Sequence, residues 1–217
     1  MVNEETFLAV AYDTPIPGYK THNCNVLRLW KAIPRDEINL ESFNQGDYTT
    51  ALESMRQAET ITSVLYPDDR QLKGKELRLR QEYFFVSATV QDILSRFLAL
   101  HLPWSELPEK MAIQLNDTHP VLAIPEMMRL LTAVYEIPYN EAWSLVTRCF
   151  AYTNHTVMSE ALETWPLNMM QTLLPWYVIL TADYDENNGV VSPRLSLIST
   201  GTLWISFRRS SKQILVC

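Results

Sequence analysis

Short apolar segments alternate along the chain with longer segments whose apolar residues recur every three or four positions, and this alternation restricts the fold more than any other feature. The short segments are typical of buried strands, and the longer ones are typical of amphipathic helices. Strands are predicted at 6–12, 26–33 and 111–115, and helices at 47–65, 75–100, 126–136, 140–150, 157–165 and 167–174. Strands separated by helices predict an α/β layer architecture.

Polar and proline-rich segments separate these elements. The segment Asp13–Gly18 contains two prolines and a glycine, which predicts a turn. Loops are predicted at 68–74, 102–108 and 151–156. Pro125 falls where a helix begins, a position that tolerates the missing N–H. Beyond residue 175 the helical repeat stops, and 204–207 is the one candidate strand in that tail.

The composition is that of a folded, acidic protein. Apolar residues make up 47% of the 217 residues and the formal net charge is -7, which predicts one or two globular domains. An acidic surface repels phosphate backbones, which argues against nucleic acid as a partner. No apolar run has the length of a bilayer span, and the first residues do not resemble a signal peptide. Three widely spaced cysteines indicate a reducing compartment, and no glycine-rich nucleotide-binding motif is present.

Three polar groups at the ends of predicted elements are candidates for a site, because α/β folds commonly bind ligands there. The first is Asp68-Asp69-Arg70, followed by Glu76 and Arg78. Adjacent carboxylates accept hydrogen bonds from sugar hydroxyls, although a solvated loop between helices has the same composition.

The second and third groups each contain a histidine. The segment 116–120 (Asn-Asp-Thr-His-Pro) follows an apolar strand and includes Asp117 and His119, and the segment 152–156 includes His155. Asp117 and His119 are able to act as an acid/base pair or to bind a polar ligand. The alternatives are a helix cap at 116–118, a structural loop histidine at 155, or a zinc site that uses both histidines.

Many segments in order resemble the glycogen, starch and maltodextrin phosphorylases, a family of α-glucan phosphorylases. They are 12–15 (YDTP), 17–19 (PGY), 27–30 (LRLW), 43–44 (FN), 46–48 (GDY), 64–69 (VLYPDD), 74–79 (GKELRL), 81–84 (QEYF), 112–120 (AIQLNDTHP), 151–157 (AYTNHTV), 160–163 (EALE), 165–166 (WP) and 173–175 (LLP). Such enzymes release glucose 1-phosphate from α-1,4-glucans with inorganic phosphate. The resemblance implies pyridoxal phosphate as cofactor, and two facing Rossmann-like domains of the glycosyltransferase B type with the site between them.

The resemblance also implies roles for individual residues. His155 matches the histidine that contacts the bound glucose near its 6-hydroxyl, and it is the catalytic candidate. Asp117 and His119 match residues that line the pocket on the β-face of that sugar. These roles are physically reasonable, because contacts that tighten as the sugar becomes oxocarbenium-like favour the transition state.

A second set of implied residues surrounds the entrance to the site. The loop 68–73, with Asp68 and Asp69, matches the mobile gate of the family, and Arg78 matches the arginine that flanks the pocket. Residues 70–72 depart from the Asn-Phe-Phe of the animal enzymes, so aromatic stacking by this loop is not expected.

The resemblance covers part of such an enzyme, and it divides the chain in two. Residues 1–175 are predicted to be part of the N-terminal Rossmann-like domain, and residues 176–217 are predicted to be a divergent tail. No lysine of the chain lies in the motif that binds the cofactor, so we expect this polypeptide to be an inactive fragment of a homodimeric, allosteric, cytoplasmic or plastid enzyme. A catalytically silent glucan-binding or interaction module is the alternative, and an unrelated α/β hydrolytic enzyme that uses Asp117 and His119 is a third.

Overall fold

The computed structural model describes residues 6–35, 38–156, 158 and 163–177, and the backbone of 205–207 and 213–216. Helices and small sheets alternate along these residues, which confirms a mixed α/β chain. The chain divides into two compact units, Met1–Ala88 and Thr89–Cys217. Within the described residues, no helix is both long enough and apolar enough to cross a membrane.

The first unit begins with an antiparallel hairpin of β1 (Phe7–Pro17) and β2 (Cys24–Pro34). The turn predicted at 13–18 is wrong, because β1 continues to Pro17 and the Gly18 N–H closes the hairpin on Asn23 O at 3.0 Å. That bond makes Gly18 and Asn23 a hydrogen-bonded pair. Hydrogen-bonded and non-hydrogen-bonded pairs alternate in an antiparallel ladder, so the nitrogens of Pro15 and Pro17 face the outer edge of β1. The missing N–H groups of these prolines therefore break no hydrogen bond to β2.

Four helices follow in the first unit: α1 (Leu40–Asn44), α2 (Tyr48–Ala51), α3 (Glu53–Ser63) and the start of α4 (Leu72–Leu98). The single helix predicted over 47–65 is therefore two helices, which meet at Leu52. Asp47 caps α2 by accepting from the Thr50 N–H at 3.1 Å. Hydrogen bonding from the Thr50 side chain, together with this N–H, lowers the pKa of the Asp47 carboxyl. Helix α4 begins three residues earlier than predicted, so the loop before it is shorter.

A small apolar core holds the hairpin against α3. Ala32 of β2 is buried with Ala58 and Ile61 of α3, and Phe7 and Phe84 pack against them. The outward-facing N–H of Ala32 lies 3.4 Å from Thr62 Oγ1, so α3 also covers an edge of the hairpin. The spacing of the α4 apolar stripe is confirmed, because Leu79 and Val86 are buried in this unit.

The second unit contains a parallel strand pair joined by helices. After a 3₁₀ turn at Trp104–Glu106 and α5 (Leu107–Lys110), β3 (Ile113–Asn116) leads into α6 (Ala123–Arg129), a π-helical stretch (Leu130–Val134), α7 (Tyr139–Cys149) and β4 (Phe150–Thr153). The loop predicted at 102–108 is thus partly helical. The predicted polar break at 151–156 is wrong in its first half, because β4 pairs with β3 there.

Apolar side chains from α4 to α8 fill the interior of the second unit. The largest fully buried side chains are Leu94, Leu107, Leu115, Ile124, Met127, Leu131, Met170 and Tyr177. Pro125 lies in the first turn of α6, as predicted, and Pro138 is the residue before α7. The helices that connect β3 to β4 therefore bury their apolar residues in the interior of this unit.

A second sheet in this unit has the strand order β5 (Thr164–Pro166), β7 (Gln213–Val216), β6 (Ile205–Phe207), all antiparallel. Strand β6 confirms the candidate strand in the tail, whereas β5 contradicts the end of the helix predicted over 157–165. Residues 157 and 159–162 of that prediction lie outside the described residues. Helix α8 (Leu167–Leu173) follows β5, as predicted.

Candidate functional site

Two of the three polar groups predicted from the sequence meet at one edge of the β3–β4 sheet. Strand β3 ends at Asn116 and strand β4 ends at Thr153, and these two residues are partners in the parallel register. Because the carboxyl ends of parallel strands lie at the same edge, the segments that continue from them begin side by side. The sequence pattern predicted no strand before the third group, so the pairing of β4 with β3 and its register come from the structure.

Hydrogen bonds extend the strand pairing to the start of both segments. The Asp117 N–H donates to Thr153 O at 2.8 Å, one residue beyond the end of β3. The Gln114 side chain donates from Nε2 to Thr153 Oγ1 at 2.7 Å. These two hydrogen bonds therefore keep the ends of β3 and β4 side by side, next to the two polar segments.

Asp117 marks a sharp change in chain direction. Its φ is +67°, in the left-handed region that aspartate tolerates better than most residues. Its carboxylate accepts from the N–H of Thr118 at 2.8 Å, and Thr118 is buried. The residue before α6 is Leu122, and no side-chain cap bond forms there. The alternative that a residue of 116–118 caps the following helix is therefore wrong, because α6 begins after Leu122.

His155 connects the two segments directly. Its Nε2 atom forms a hydrogen bond with Asn116 Oδ1, across the gap between the two strand ends. Both side chains are exposed, so the pair is accessible from solvent. Asn154 shapes the same loop by accepting from the Thr156 N–H at 3.0 Å.

His119 is half-buried in the segment after β3 and lies directly before Pro120. Among the residues that the structure describes, no group of three or more His, Cys, Asp or Glu side chains is arranged to hold a metal ion. The zinc alternative for His119 and His155 therefore has no third ligand of this kind in the described chain.

The third predicted group lies in the first unit, in the loop before α4. Asp68 forms an ion pair with Arg70, and this guanidinium, together with the Arg70 N–H, lowers the pKa of the Asp68 carboxyl below its ordinary value. Asp69 instead faces Arg78 of α4, with Oδ2 and Nη1 3.3 Å apart. Glu76, which the sequence placed in this group, pairs with Arg80 at 3.0 Å.

Arg78 is a largely buried cation of α4 that faces this loop. Its side chain is 19% exposed, and its Nε lies 3.3 Å from Oε1 of the buried Glu82. Its guanidinium also lies 5.7 Å from the centre of the Tyr66 ring. These contacts hold the guanidinium in one place, where it meets Asp69.

Gly74 allows the loop to lie against the first turn of α4. A Cβ atom at this position would be 1.8 Å from Asp68 O, far inside van der Waals contact. The Gln81 side chain secures the other side of the loop by donating to Val64 O at 2.7 Å. The loop is thus packed by its backbone, while its carboxylates remain exposed.

Sequence reasoning missed several contacts at the β3–β4 sheet edge and around the loop 68–73. Gln114 and Glu82 were not among the candidates, and Asn116 was named only as part of its motif. The i,i+4 spacing of Arg78 and Glu82 was a usable signal. The Asn116–His155 contact spans 39 residues, and no local pattern predicts it.

The described lysines do not fit the cofactor that the resemblance implied. A lysine that forms a Schiff base lies in a desolvated pocket. Lys20, Lys31, Lys73 and Lys110 are exposed and Lys75 is half-buried. The described part of the chain therefore contains no buried lysine for pyridoxal phosphate.

Residues 1–189 match the carbohydrate phosphorylase family, so the chain belongs to that family, and the resemblance identified from its motifs is confirmed. It is 52% identical over 182 residues to glycogen phosphorylase 2 of Dictyostelium discoideum, covering 84% of this chain and 18% of the relative. It is 51% identical over 186 residues to glycogen phosphorylase of Saccharomyces cerevisiae, covering 86% of this chain and 20% of the relative.

A plant relative extends this set. The chain is 46% identical over 197 residues to the chloroplastic/amyloplastic α-1,4 glucan phosphorylase L isozyme of Ipomoea batatas, covering 88% of this chain and 21% of the relative. The chain therefore spans about a fifth of the length of the curated relatives it matches. The family match runs to residue 189, and the boundary at residue 175 stays a prediction.

Proposed function

We propose that this chain is part of an α-1,4-glucan phosphorylase, which transfers a terminal glucose from the glucan to inorganic phosphate and forms glucose 1-phosphate. The relatives named glycogen phosphorylase and α-1,4 glucan phosphorylase support this substrate class. The observation that carries the proposal is the meeting of the Asn116 and His155 segments at one sheet edge, where an α/β fold offers polar groups to a ligand.

In this proposal, the β3–β4 edge is the wall of the site that contacts glucose. His155 is hydrogen-bonded to a hydroxyl group of the sugar, near its 6-position, and so holds the ring in the orientation that the transfer requires. Asp117 and His119 line the β-face of the ring. A negative carboxylate near a sugar that becomes oxocarbenium-like stabilises the transition state more than the ground state.

We propose that the loop 68–73 is the mobile gate of the complete enzyme. Asp68 and Asp69 provide hydrogen-bond acceptors for sugar hydroxyls, and Arg78 holds Asp69 in place through their 3.3 Å contact. Because the loop is exposed and anchored at Gly74 and Gln81, its tip is able to move while its base stays against α4.

Pyridoxal phosphate belongs to the proposed complete enzyme, but no step above passes through it because the described lysines do not fit its attachment. We propose that the part of the enzyme outside these 217 residues binds it. The finer features of the family are proposals of the same kind: a Rossmann-like domain, a glycosyltransferase B arrangement, a homodimer with allosteric control, and a location in the cytoplasm or a plastid.

A chimera tests the proposal. The matching segment of the Saccharomyces cerevisiae glycogen phosphorylase is replaced by the corresponding residues of this chain, and glucose 1-phosphate release from maltoheptaose is measured. We expect the chimera to be active and to depend on inorganic phosphate. The 217-residue chain alone is expected to release no product, even with added pyridoxal phosphate.

Two matched variants of the chimera test the assignment of His155. H155Q is expected to lower kcat/KM about 10- to 100-fold, since a hydrogen bond that strengthens in the transition state contributes about 1.5–3 kcal/mol. H101Q makes the same substitution at an exposed histidine after α4 and is expected to leave kcat/KM unchanged. A folded but inactive chimera would refute the proposed function, and equal effects of the two variants would refute the role of His155.

A further inference from the structure

The Asn116–His155 contact carries a more specific inference about how the site is arranged. Asn116 is the last residue of β3, and His155 lies two residues beyond the end of β4. The backbone bond from Asp117 to Thr153 and the side-chain bond from Gln114 to Thr153 join the two strand ends next to the pair. The two side chains therefore meet from supports that are themselves bonded to each other.

The chemistry of the contact selects one form of the histidine. The Asn116 Oδ1 atom has no proton and can only accept, so the His155 Nε2 atom that bonds to it must carry the hydrogen. In a neutral imidazole the other nitrogen, Nδ1, then has the free lone pair. The ring is exposed, which leaves Nδ1 able to accept a hydrogen bond from a ligand.

We propose that Asn116 is a positioning residue that holds His155 in the Nε2–H tautomer and presents Nδ1 as a hydrogen-bond acceptor for a sugar hydroxyl. The identity of the donor rests on the proposed function above, whereas the tautomer and the orientation of the ring rest on the contact itself. The arrangement makes the site selective for a ligand group that donates a hydrogen at this position. A hydroxyl donates such a hydrogen, and a fluorine or an ether oxygen does not.

The same logic separates Asn116 from a purely structural residue. Its side chain is exposed, so its replacement removes little buried surface, and the expected consequence is a change in the state of His155. Aspartate at this position retains an acceptor-only oxygen, while leucine has a similar size and no acceptor. The two variants therefore differ in whether residue 116 has an oxygen that accepts a hydrogen bond from His155.

The test is an NMR measurement on the 15N-labelled 217-residue chain without substrate. Long-range 1H–15N spectra identify which nitrogen of each imidazole is protonated, H155Q assigns the His155 signals, and the exposed His22 and His101 are internal references. The spectra are recorded at about pH 9, where imidazole rings are neutral, and there we expect His155 to be protonated at Nε2 alone in the unsubstituted chain and in N116D. In N116L we expect a mixture of tautomers like that of the reference histidines, with exchange of the Nε2 proton faster by about fivefold or more.

Protonation of His155 at Nδ1 in the unsubstituted chain would overturn the proposal, as would N116L spectra identical to those of the unsubstituted chain. If N116L does not fold, as judged by circular dichroism, N116S repeats the comparison with a side chain too short to hold the ring. The measurement involves no turnover, so its failure is distinguishable from failure of the phosphorylase function, which the chimera tests separately.

Discussion

Loss of the Arg129 guanidinium should destabilise the second unit strongly, because it would leave a buried carboxylate without its main partner. Arg129 donates from Nε and Nη2 to the two carboxylate oxygens of Glu126, each at 2.8 Å. The Glu126 side chain is 0% exposed and that of Arg129 is 25% exposed. The guanidinium also lies 5.5 Å from the centre of the Trp176 ring. R129M keeps the aliphatic stem and removes the charge and both donors.

The expected loss follows from the burial of Glu126. Removal of one partner of a buried pair typically costs about 3–5 kcal/mol, and the partial exposure of Arg129 places this case near the lower end. With a urea m-value of about 2 kcal/mol per molar, the midpoint of unfolding should fall by about 1.5 M. The neighbouring Trp176 ring contributes part of this loss through its contact with the cation.

A matched control is available in helix α4. Arg96 forms an ion pair with Asp92 at 3.0 Å, but the two side chains are 64% and 30% exposed. The same substitution there, R96M, should cost about 0.5 kcal/mol or less, because solvent screens the pair. Both variants are measured by urea unfolding followed by far-UV circular dichroism.

Two further variants make the comparison decisive. E126Q in the R129M background removes the buried charge, so the double variant should be about 1–2 kcal/mol more stable than R129M alone. R129K keeps the positive charge but loses the bidentate hydrogen bonding, so its urea midpoint should lie between those of R129M and the unsubstituted chain. Equal urea midpoints for R129M and R96M would refute the reasoning.

Two other predictions concern packing and reactivity. G74A should destabilise the loop by about 1–3 kcal/mol, because the added Cβ would clash with Asp68 O. This loss exceeds the gain in helix propensity of about 1 kcal/mol. Faster amide exchange at 66–71 would confirm the prediction, and unchanged exchange would contradict it. Burial raises the pKa of the Cys149 thiol to about 11, so roughly one molecule in a thousand has the thiolate at pH 8. Iodoacetamide at that pH should therefore modify the exposed Cys24 before the buried Cys149, and equal rates for these two cysteines in the folded chain would be evidence against burial of Cys149.

Local sequence patterns predicted the helices better than the boundaries between elements. The apolar stripe of α4 and the helices α7 and α8 follow from spacing alone. The predicted turn at 13–18 was placed too early, because β1 continues through both prolines to Pro17 and the chain reverses between Gly18 and Asn23. Residues 24–34 provide the partner strand for this extension, and the outer edge of a two-stranded sheet accommodates the proline nitrogens. The predicted break at 151–156 failed for a related reason, since β4 is a strand only because β3 lies beside it.

The candidate residues were found from residue type and position after predicted elements. Asp117 and His119 follow the strand predicted at 111–115, and that placement is predictable from an α/β pattern. His155 was found in a predicted polar loop, and its position after β4 was not predicted. The tautomer of His155 was not predictable, because it depends on an oxygen 39 residues away. Asp69 and Arg78 were placed in one candidate group, but the ion pair between them was not predicted, since Arg78 reaches Asp69 across the first turn of α4.

The sequence by itself determined the α/β character of this protein, the apolar faces of its main helices, its family and the short list of polar residues worth testing. These properties depend on residue order and on spacings of a few positions, which local chemistry governs. The tertiary structure decided the parallel register of β3 and β4, the contact between Asn116 and His155, and the burial of Glu126 against Arg129. Register and side-chain partners of this kind depend on which distant segments share a core, and only the packed chain brings those segments together.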